Sequence, residues 1–400
     1  MSLSFLDVLL LTGLLFIGGI TLVLLRNRVH FRRLRRVPEG GSGYSVGICI
    51  PARNEEQNLN RCLDHALAQR HEKTTVYVLN DRSSDATGSI LEHYKRSYGE
   101  KLQILYGRTK PDSWLGKPHA CAQLAARAGA QDKCDILLFA DADTWLEPGT
   151  AGRTAGIFAR APIDFFTVWP EQRSGSRWER IVVPLVYYAL LGLLPVMYTE
   201  RKPRWMPAFF HRRYRAMFAA ACGQFMAFRR DAYEAIGGHT AVRNEVVEDV
   251  MLARNVMQAG LKMRMYHGVG SVFCRMYDSE KSMFEGFRKN FLAGFDYNIP
   301  LFVSMALLHF ITFILPLFVL IFAAFQPETV SLFSIWASVA LLLLPILHRL
   351  LLGTWMQWPK RFAFTHILGV LWFQRLGLIA LWDYLSDRDV HWKGERIGRK

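Results

Sequence analysis

The sequence predicts an α/β domain on a mostly parallel sheet, with apolar membrane helices at both ends of the chain, and three observations carry that prediction. Short apolar runs alternate with amphipathic stretches between residues 44 and 140, the strand-helix-strand rhythm that lays parallel strands side by side. One apolar run opens the chain and three more follow Pro300, each close to the roughly 20 residues a helix needs to cross a bilayer. Hydrophobic residues make up 51% of the 400, which is rich for a soluble enzyme of that length.

Taken in order, residues 3–25 carry one acid, Asp7, among apolar and small residues, and they end in Arg26, Arg28, Arg32, Arg33, Arg35 and Arg36. A cleaved signal would place its charges first and a small-residue cleavage site last. Residues 1–25 are therefore expected to form an anchor with its arginines inside the cell. A basic linker, 26–43, leads to strands expected at 46–50, 75–79, 102–106 and 136–140, with helices near 55–68, 85–96 and 117–130. Ligands of such a sheet bind beyond the carboxyl ends of its strands.

The catalytic domain is expected to run over 44–299. The apolar run 181–198 is read as an interfacial helix inside it, because a crossing there would put the chemistry-bearing motifs on opposite sides of the bilayer. The basic stretch 201–215, with Trp205, Phe209 and Phe210 among its cations, reads as further membrane-surface contact. Runs 301–325 and 330–352 form a hairpin around Glu328. The run 362–381 holds Gln374 and Arg375 at its middle, where charge is costly. The tail from Lys393 to Lys400 and the cluster of Arg349, Lys360 and Arg361 should both lie inside, so this last run is expected to be re-entrant or interfacial.

The net charge of +15 sits beside the apolar runs. That placement suits anionic headgroups, or equally the flanks of inside loops, and no nucleic-acid partner is expected. The six cysteines, Cys49, Cys62, Cys121, Cys134, Cys222 and Cys274, show no paired spacing and read as reduced core thiols.

Four motifs carry chemistry. Pro51, Asn54 and Glu55 follow the first strand, where free backbone N–H groups can seat a nucleotide, although Asn54 and Glu55 equally suit a helix cap. Asn80-Asp81-Arg82-Ser83-Ser84-Asp85 ends the second strand; Asp81 can accept from a base N–H, and Asp85 suits the next helix cap. Asp141-Ala142-Asp143 abuts the strand 136–140, and alternation along an extended segment would point both carboxylates at one hard cation, Mg²⁺ or Mn²⁺. Glu248-Asp249 opens a helix, where acids complement the dipole but where one can also take the proton of an attacking hydroxyl. Gly223-Gln224 lies upstream of that pair, at the spacing of an acceptor site.

In this order, with Gly116-Lys117 between the second and third, these motifs resemble the family 2 glycosyltransferases of the GT-A fold, a Rossmann-like nucleotide-sugar-binding domain, over residues 44–297. Gln224-Phe225-Met226, Ile236-Gly237-Gly238-His239 and Gly286-Phe287-Arg288-Lys289-Asn290 make the chain most similar to membrane enzymes that glycosylate carotenoids or accompany hopanoids. The resemblance implies inverting transfer from a UDP-sugar, usually UDP-glucose. It makes Asp81 a uracil contact, Asp141 a donor contact, Asp143 the metal ligand and Asp249 the base. It puts Glu248, Gly223 and Gln224 on the acceptor side and Pro51, Asn54 and Glu55 on the donor side. Lys117 would lie near the diphosphate, unless it is only a solvated helix start.

Two departures stand out. Asn80 replaces a common aspartate, and Phe284–Asn290 stands where processive synthases carry Gln-x-x-Arg-Trp, which favours transfer of a single sugar. The expected partners are a UDP-sugar, a lipid acceptor of isoprenoid type and the bilayer. A polyprenyl-phosphate or glycerolipid sugar transferase would share every donor motif. A transporter or inactive scaffold is disfavoured, because the spans hold few polar residues and the carboxylates sit outside them.

Overall fold

The computed structural model describes residues 4–388, 390–392 and 395–397. The first three residues of the expected anchor, and the expected basic tail apart from Glu395–Ile397, lie outside the described residues. The chain divides into two units: one of residues 30–173 and 196–276, the other of 1–29, 174–195 and 277–400.

The first unit is built on an eight-stranded sheet. From one edge to the other its strands are Arg32–Arg33, Met263–His267, Phe165–Trp169, Phe225–Arg229, Ile136–Ala140, Val46–Ala52, Thr74–Asn80 and Leu102–Tyr106. Neighbours are parallel except around Phe225–Arg229, which pairs antiparallel with Ile136–Ala140 and with Phe165–Trp169. Helices Leu59–Leu67, Thr87–Tyr98 and Gly116–Ala125 follow the early strands. The sheet is mostly parallel, as the alternating pattern predicts, and its central strands are buried and largely apolar.

Three local details depart from expectation. The first strand runs on through Pro51 and Ala52. The first helix begins only at Leu59, because 53–58 are used as a loop. The helix expected over 117–130 is α-helical to Ala125 and then widens into a π-helical turn, Ala126–Gln131.

Register places the site. Strand ends Ala52, Asn80 and Tyr106 are aligned, and the ladder matches Ala140 to Phe225. Because Phe225–Arg229 runs the opposite way, the loop before it reaches the same carboxyl edge that Ala140 reaches from below. A three-stranded sheet of Thr144–Leu146, Val272–Cys274 and Glu171–Gln172 continues from that edge. The core beneath is aromatic: Phe139 is fully buried, with the rings of His239, Tyr233 and Phe228 at 4.7, 5.4 and 6.1 Å.

The second unit gathers the apolar helices. Phe5–His30, Ile299–Phe325, Leu332–Met356 and Lys360–Leu385 are each long and apolar enough to cross a membrane. Phe5–His30 and Leu332–Met356 run in the same direction, tied at two levels. Near their starts the Asp7 carboxylate accepts from Ser331 Oγ at 2.6 Å and Ser334 Oγ at 2.7 Å. Further along, Thr21 Oγ1 gives its proton to the Ile17 carbonyl, so His348 Nε2 must donate to Thr21 across 3.0 Å. His348 Nδ1 is then left to accept from the Tyr188 hydroxyl at 3.1 Å.

Tyr188 belongs to the helix Arg177–Leu193, which packs in this unit with Ile181, Val182 and Leu191 buried. Pro184 within it has no amide to bond the carbonyl four residues earlier. Arg349 instead reaches the Arg180 carbonyl at 3.5 Å and that of Ile181 at 3.3 Å.

The polar middle of Lys360–Leu385 is accounted for by neighbours. Gln374 Nε2 bonds the Ala306 carbonyl at 3.0 Å. Arg375 pairs with Glu280 at 3.7 Å, Trp372 Nε1 donates to Glu280 at 3.0 Å, and Arg288 binds Asp383 at 2.6 Å. The second half of this helix therefore lies along Glu280–Phe291, an amphipathic helix with Lys281 and Glu285 exposed.

Truncating Phe139 tests the core. Phe139→Ala leaves a void among three rings and should lower unfolding stability by about 3–5 kcal/mol, read as a lowered melting temperature of the purified protein in detergent. A loss under about 1 kcal/mol would mean that the ring cluster is not tightly packed.

Candidate active site

The first two loops lock onto each other. Asn54 takes a left-handed φ of 52°, and its side-chain oxygen accepts from the Ser84 N–H at 2.9 Å while its own N–H donates to Ser83 Oγ at 3.0 Å. The Glu55 N–H donates to Thr87 Oγ1 at 2.9 Å. Asp85 accepts from the N–H groups of Glu56 at 3.1 Å and Thr87 at 3.0 Å, and Glu56 returns a bond to the Ala86 N–H. Asn54 and Glu55 thus join two loops, which is more than capping the helix at Leu59. Asp85 does serve the start of the helix Thr87–Tyr98.

Asp81 is buried at the bottom of this pair of loops, with Arg82 Nε at 3.0 Å and Arg53 at 3.7 Å. Asn80 spends its side-chain oxygen on the Ser83 N–H at 3.1 Å. A second carboxylate there would crowd Asp81, and the amide gives the same acceptor without the charge.

Asp141-Ala142-Asp143 is a turn closed by the Thr144 N–H on the Asp141 carbonyl at 3.0 Å. The expectation of an extended segment does not hold. The turn arises because Thr144 must reverse into the small sheet, where it pairs antiparallel with Cys274. Asp143 is held at the head of that strand, its carboxylate accepting from Thr144 Oγ1 at 3.2 Å. Burial first, then Asp141 and Glu55 nearby, push the Asp143 carboxyl well above the usual carboxylate range.

Lys117 is neither a solvated helix start nor a free cation. Its ammonium lies 2.8 Å from Asp141 Oδ1 and 3.1 Å from Glu248 Oε1, bridging the third and fourth motifs. Burial opposes its charge, but Asp141 and Glu248 outweigh that and hold its pKa well above the ordinary value.

Next to it, Asp249 begins the helix Glu248–Gln258. One carboxylate oxygen accepts from the Gly223 N–H and the other from the Val250 N–H, both at 2.8 Å. Burial and the neighbouring Glu248 raise the Asp249 carboxyl, and Lys117 only partly offsets them. A raised carboxylate is more basic, which suits proton abstraction near neutral pH.

Gly223 leaves the room this lysine uses: a Cβ there would stand 2.9 Å from Lys117 Nζ, which would have to shift, and 3.4 Å from Asp249 Oδ2. Gln224 is buried, accepting from Gln172 Nε2 at 2.8 Å.

Sequence reading missed Gln172 and Thr167. Thr167 Oγ1 accepts from the Cys222 N–H at 2.9 Å and donates to the Phe225 carbonyl at 3.0 Å, fixing the loop between them. A signal was present: Glu171-Gln172-Arg173 follows an apolar run just as the other motifs do. All the residues singled out from sequence, from Pro51 to Asp249, belong to one unit, and Lys117, Asp141, Gly223, Glu248 and Asp249 are joined by direct contacts. Pro51 lies inside the first strand, opposite Leu79.

The profile of glycosyltransferase like family 2 matches residues 44–294. The chain belongs to that family. A second profile, glycosyl transferase family 21, matches residues 213–398 of the same enzyme.

Curated relatives include the 4,4'-diaponeurosporenoate glycosyltransferase of Staphylococcus haemolyticus strain JCSC1435, 26% identical over 71% of this chain and 70% of that protein. The protein of the same name from Staphylococcus aureus strain USA300 is 26% identical over 62% of this chain and 61% of its own length. Among solved structures, the mannosyltransferase PcManGT from Pyrobaculum calidifontis, in complex with GDP-Man and Mn²⁺, superposes with a TM-score of 0.54 at 16% identity, covering 96% of this glycosyltransferase and 99% of that chain. The fold is GT-A, with apolar helices at both termini.

One substitution tests the crowding around the glycosyltransferase's Gly223. Gly223→Ala should displace the Lys117 ammonium and cut activity at least about tenfold, while overpacking costs about 1–3 kcal/mol of stability. Parallel activity and melting measurements check it; wild-type turnover would show that the lysine bridge is dispensable.

Proposed function

We propose that this family 2 enzyme is a non-processive, inverting glycosyltransferase that moves a hexose, most naturally glucose, from a UDP-sugar to a carotenoid or other isoprenoid lipid. The work is done at the cytoplasmic face of the plasma membrane by a multi-pass protein. The observation that carries the proposal is the contact chain of Asp141, Lys117, Glu248 and Asp249: it joins the donor-side turn to a raised carboxylate within one unit. The names of the Staphylococcus relatives support a carotenoid-type acceptor.

In this reading Asp81, seated beside the loops of Asn54 and Ser83, receives the nucleobase, and Pro51, Asn54 and Glu55 shape the donor side. Among the described residues no group of three or more His, Cys, Asp or Glu side chains closes on a metal by itself. Asp143 and Asp141 nevertheless stand close enough that, after burial, Asp141 adds to the rise of the Asp143 carboxyl. Two carboxylates completed by a substrate diphosphate and water fit Mg²⁺ or Mn²⁺, and the solved mannosyltransferase was crystallised with Mn²⁺. Bound there, the cation would supply counter-charge to the leaving diphosphate.

Asp249 takes the acceptor's proton as its oxygen attacks the anomeric carbon from the face opposite the leaving group. The N–H groups of Gly223 and Val250 fix the carboxylate's orientation while leaving it lone pairs for that proton. Glu248 and Gln224 line the acceptor side.

The membrane setting rests on the four long apolar helices. Phe5–His30 and Leu332–Met356 run the same way, so their basic ends, with Arg26 and Arg28 on one and Arg349 on the other, fall on one side. That side is read as cytoplasmic. Lys360–Leu385, lying beside the charged helix Glu280–Phe291, is read as interfacial.

Membranes holding the enzyme, incubated with labelled UDP-glucose, Mg²⁺ or Mn²⁺ and total lipid extract, should yield a labelled isoprenoid glycoside. Label in a polyprenyl phosphate or glycerolipid would overturn the acceptor assignment. Asp143→Ala and Asp249→Asn should each abolish transfer, by at least about 10³-fold, while both proteins still accumulate in membranes.

The pH profile follows from the base. Asp249 must be deprotonated to act, and its pKa is raised, so kcat/KM should fall on acidification beginning above the ordinary carboxylate range near about 4. A flat profile down to that range would remove Asp249 from the role.

A further inference from the structure

Within the second stretch of the catalytic unit's chain, 196–276, lies a segment that the chemistry above does not use. From Arg201 to Phe218 it holds Arg201, Lys202, Arg204, Arg212, Arg213 and Arg215 and no acid. Its large side chains point outward: Trp205 and Phe209 are each 68% exposed and Met217 63%, with Phe210 and Tyr214 exposed beside them. Folded proteins seldom leave so contiguous an apolar patch in water.

The segment is a built surface. Met206 and Phe218 are buried beneath it, Phe218 meets the ring of Tyr198 at 5.2 Å, and Lys202 Nζ closes the turn onto the Met206 carbonyl at 3.0 Å. The helix Ala208–Tyr214 sets Phe210 between Phe209 at 4.5 Å and Tyr214 at 5.9 Å. Arg201, Arg204, Arg212 and Arg213 make no ion pair with any described residue.

We infer that this face, residues 201–217, inserts into the headgroup layer of an anionic bilayer. Exposed aromatic side chains interleaved with unpaired arginines are the composition of an interfacial element: the rings enter the headgroup and acyl boundary, and the cations meet lipid phosphates. A protein partner would have to supply both an apolar socket and a matching row of acids. The bilayer supplies both at once, and the helices long enough to cross one belong to the same chain.

Docking would also act on the acceptor side of the site. Arg215 donates to the Gln258 carbonyl at 2.9 Å, at the far end of the helix whose first turn holds Glu248 and Asp249. After Phe218 the chain runs directly into Cys222, Gly223 and Gln224. A leaflet that holds 201–217 therefore steadies both elements that would receive an apolar acceptor. The inference rests on the membrane setting proposed above, but not on the identity of the sugar or the acceptor.

Hydrogen exchange read by mass spectrometry tests it on the full-length protein, in detergent and in nanodiscs of phosphatidylcholine with or without phosphatidylglycerol. Peptides covering 201–217 should be protected in nanodiscs, most strongly with phosphatidylglycerol, and the extra protection should disappear in high salt. The triple variant Trp205→Ser, Phe209→Ser, Phe210→Ser should lose the protection. Its KM for membrane-embedded acceptor should rise about tenfold or more, with KM for the donor unchanged. Replacing Arg204, Arg212 and Arg213 by glutamine should remove only the dependence on phosphatidylglycerol.

Equal exchange in detergent and in both nanodiscs would overturn the inference. So would protection in detergent that grows with protein concentration, which indicates self-association, or that is induced by a nucleic acid. Lipid-dependent protection without any detectable sugar transfer would leave the docking surface standing and remove the proposed activity.

Discussion

One ammonium group holds the candidate active site together. Asp141, Asp143, Glu248 and Asp249 are brought to a single edge of the sheet, and carboxylates that close repel one another and resist ionisation. Lys117 sits between Asp141 and Glu248 and supplies the internal counter-charge that lets the two halves of the site approach. Its effect is uneven. Asp141 and Glu248 are paired directly, whereas Asp143 and Asp249 stand one step away, and burial first, then the neighbouring acids, keep their carboxyls raised. One cation thus offsets only part of what burial and crowding do to these two acids.

The loop that packs against this bridge is placed by a single reversed strand. In a wholly parallel sheet, the loop preceding a strand lies at the amino edge, away from the ligand. Phe225–Arg229 runs antiparallel between two strands of the opposite sense. The loop that precedes it, with Gly223 and Gln224, is thereby delivered to the ligand edge. Thr167, on one of those flanking strands, pins this loop through its hydroxyl, so the loop of Gly223 and Gln224 is positioned by the same ladder that positions Asp141.

The donor half was readable because each strand ends where a polar motif begins. Ile136–Ala140 was placed correctly to the residue, and Thr74–Asn80 missed by one at each end. The later strands were not found: Phe165–Trp169 and Phe225–Arg229 are buried on both faces, so they show no alternation to read, and residues 174–195 between them belong to the other unit. The acids expected to work together do share one unit, whereas the extended backbone expected of Asp141-Ala142-Asp143 gives way to a turn. Local alternation knows nothing of the small sheet that bends Thr144 away. The partners of Lys117 were likewise invisible, since no sequence pattern records that residues 117 and 248 will meet.

The double tie between Phe5–His30 and Leu332–Met356 bears on how the protein is made. Asp7 finds Ser331 324 residues later in the chain, and Thr21 must wait for His348. At roughly 5–20 residues per second of synthesis, the delay before Asp7 can be satisfied is about 16–65 s. Throughout that interval Ser4 serves one oxygen of the Asp7 carboxylate, while the other waits for Ser331 and Ser334. A chain that stops before Ser331 therefore lacks every one of these polar partners that Phe5–His30 takes from Leu332–Met356.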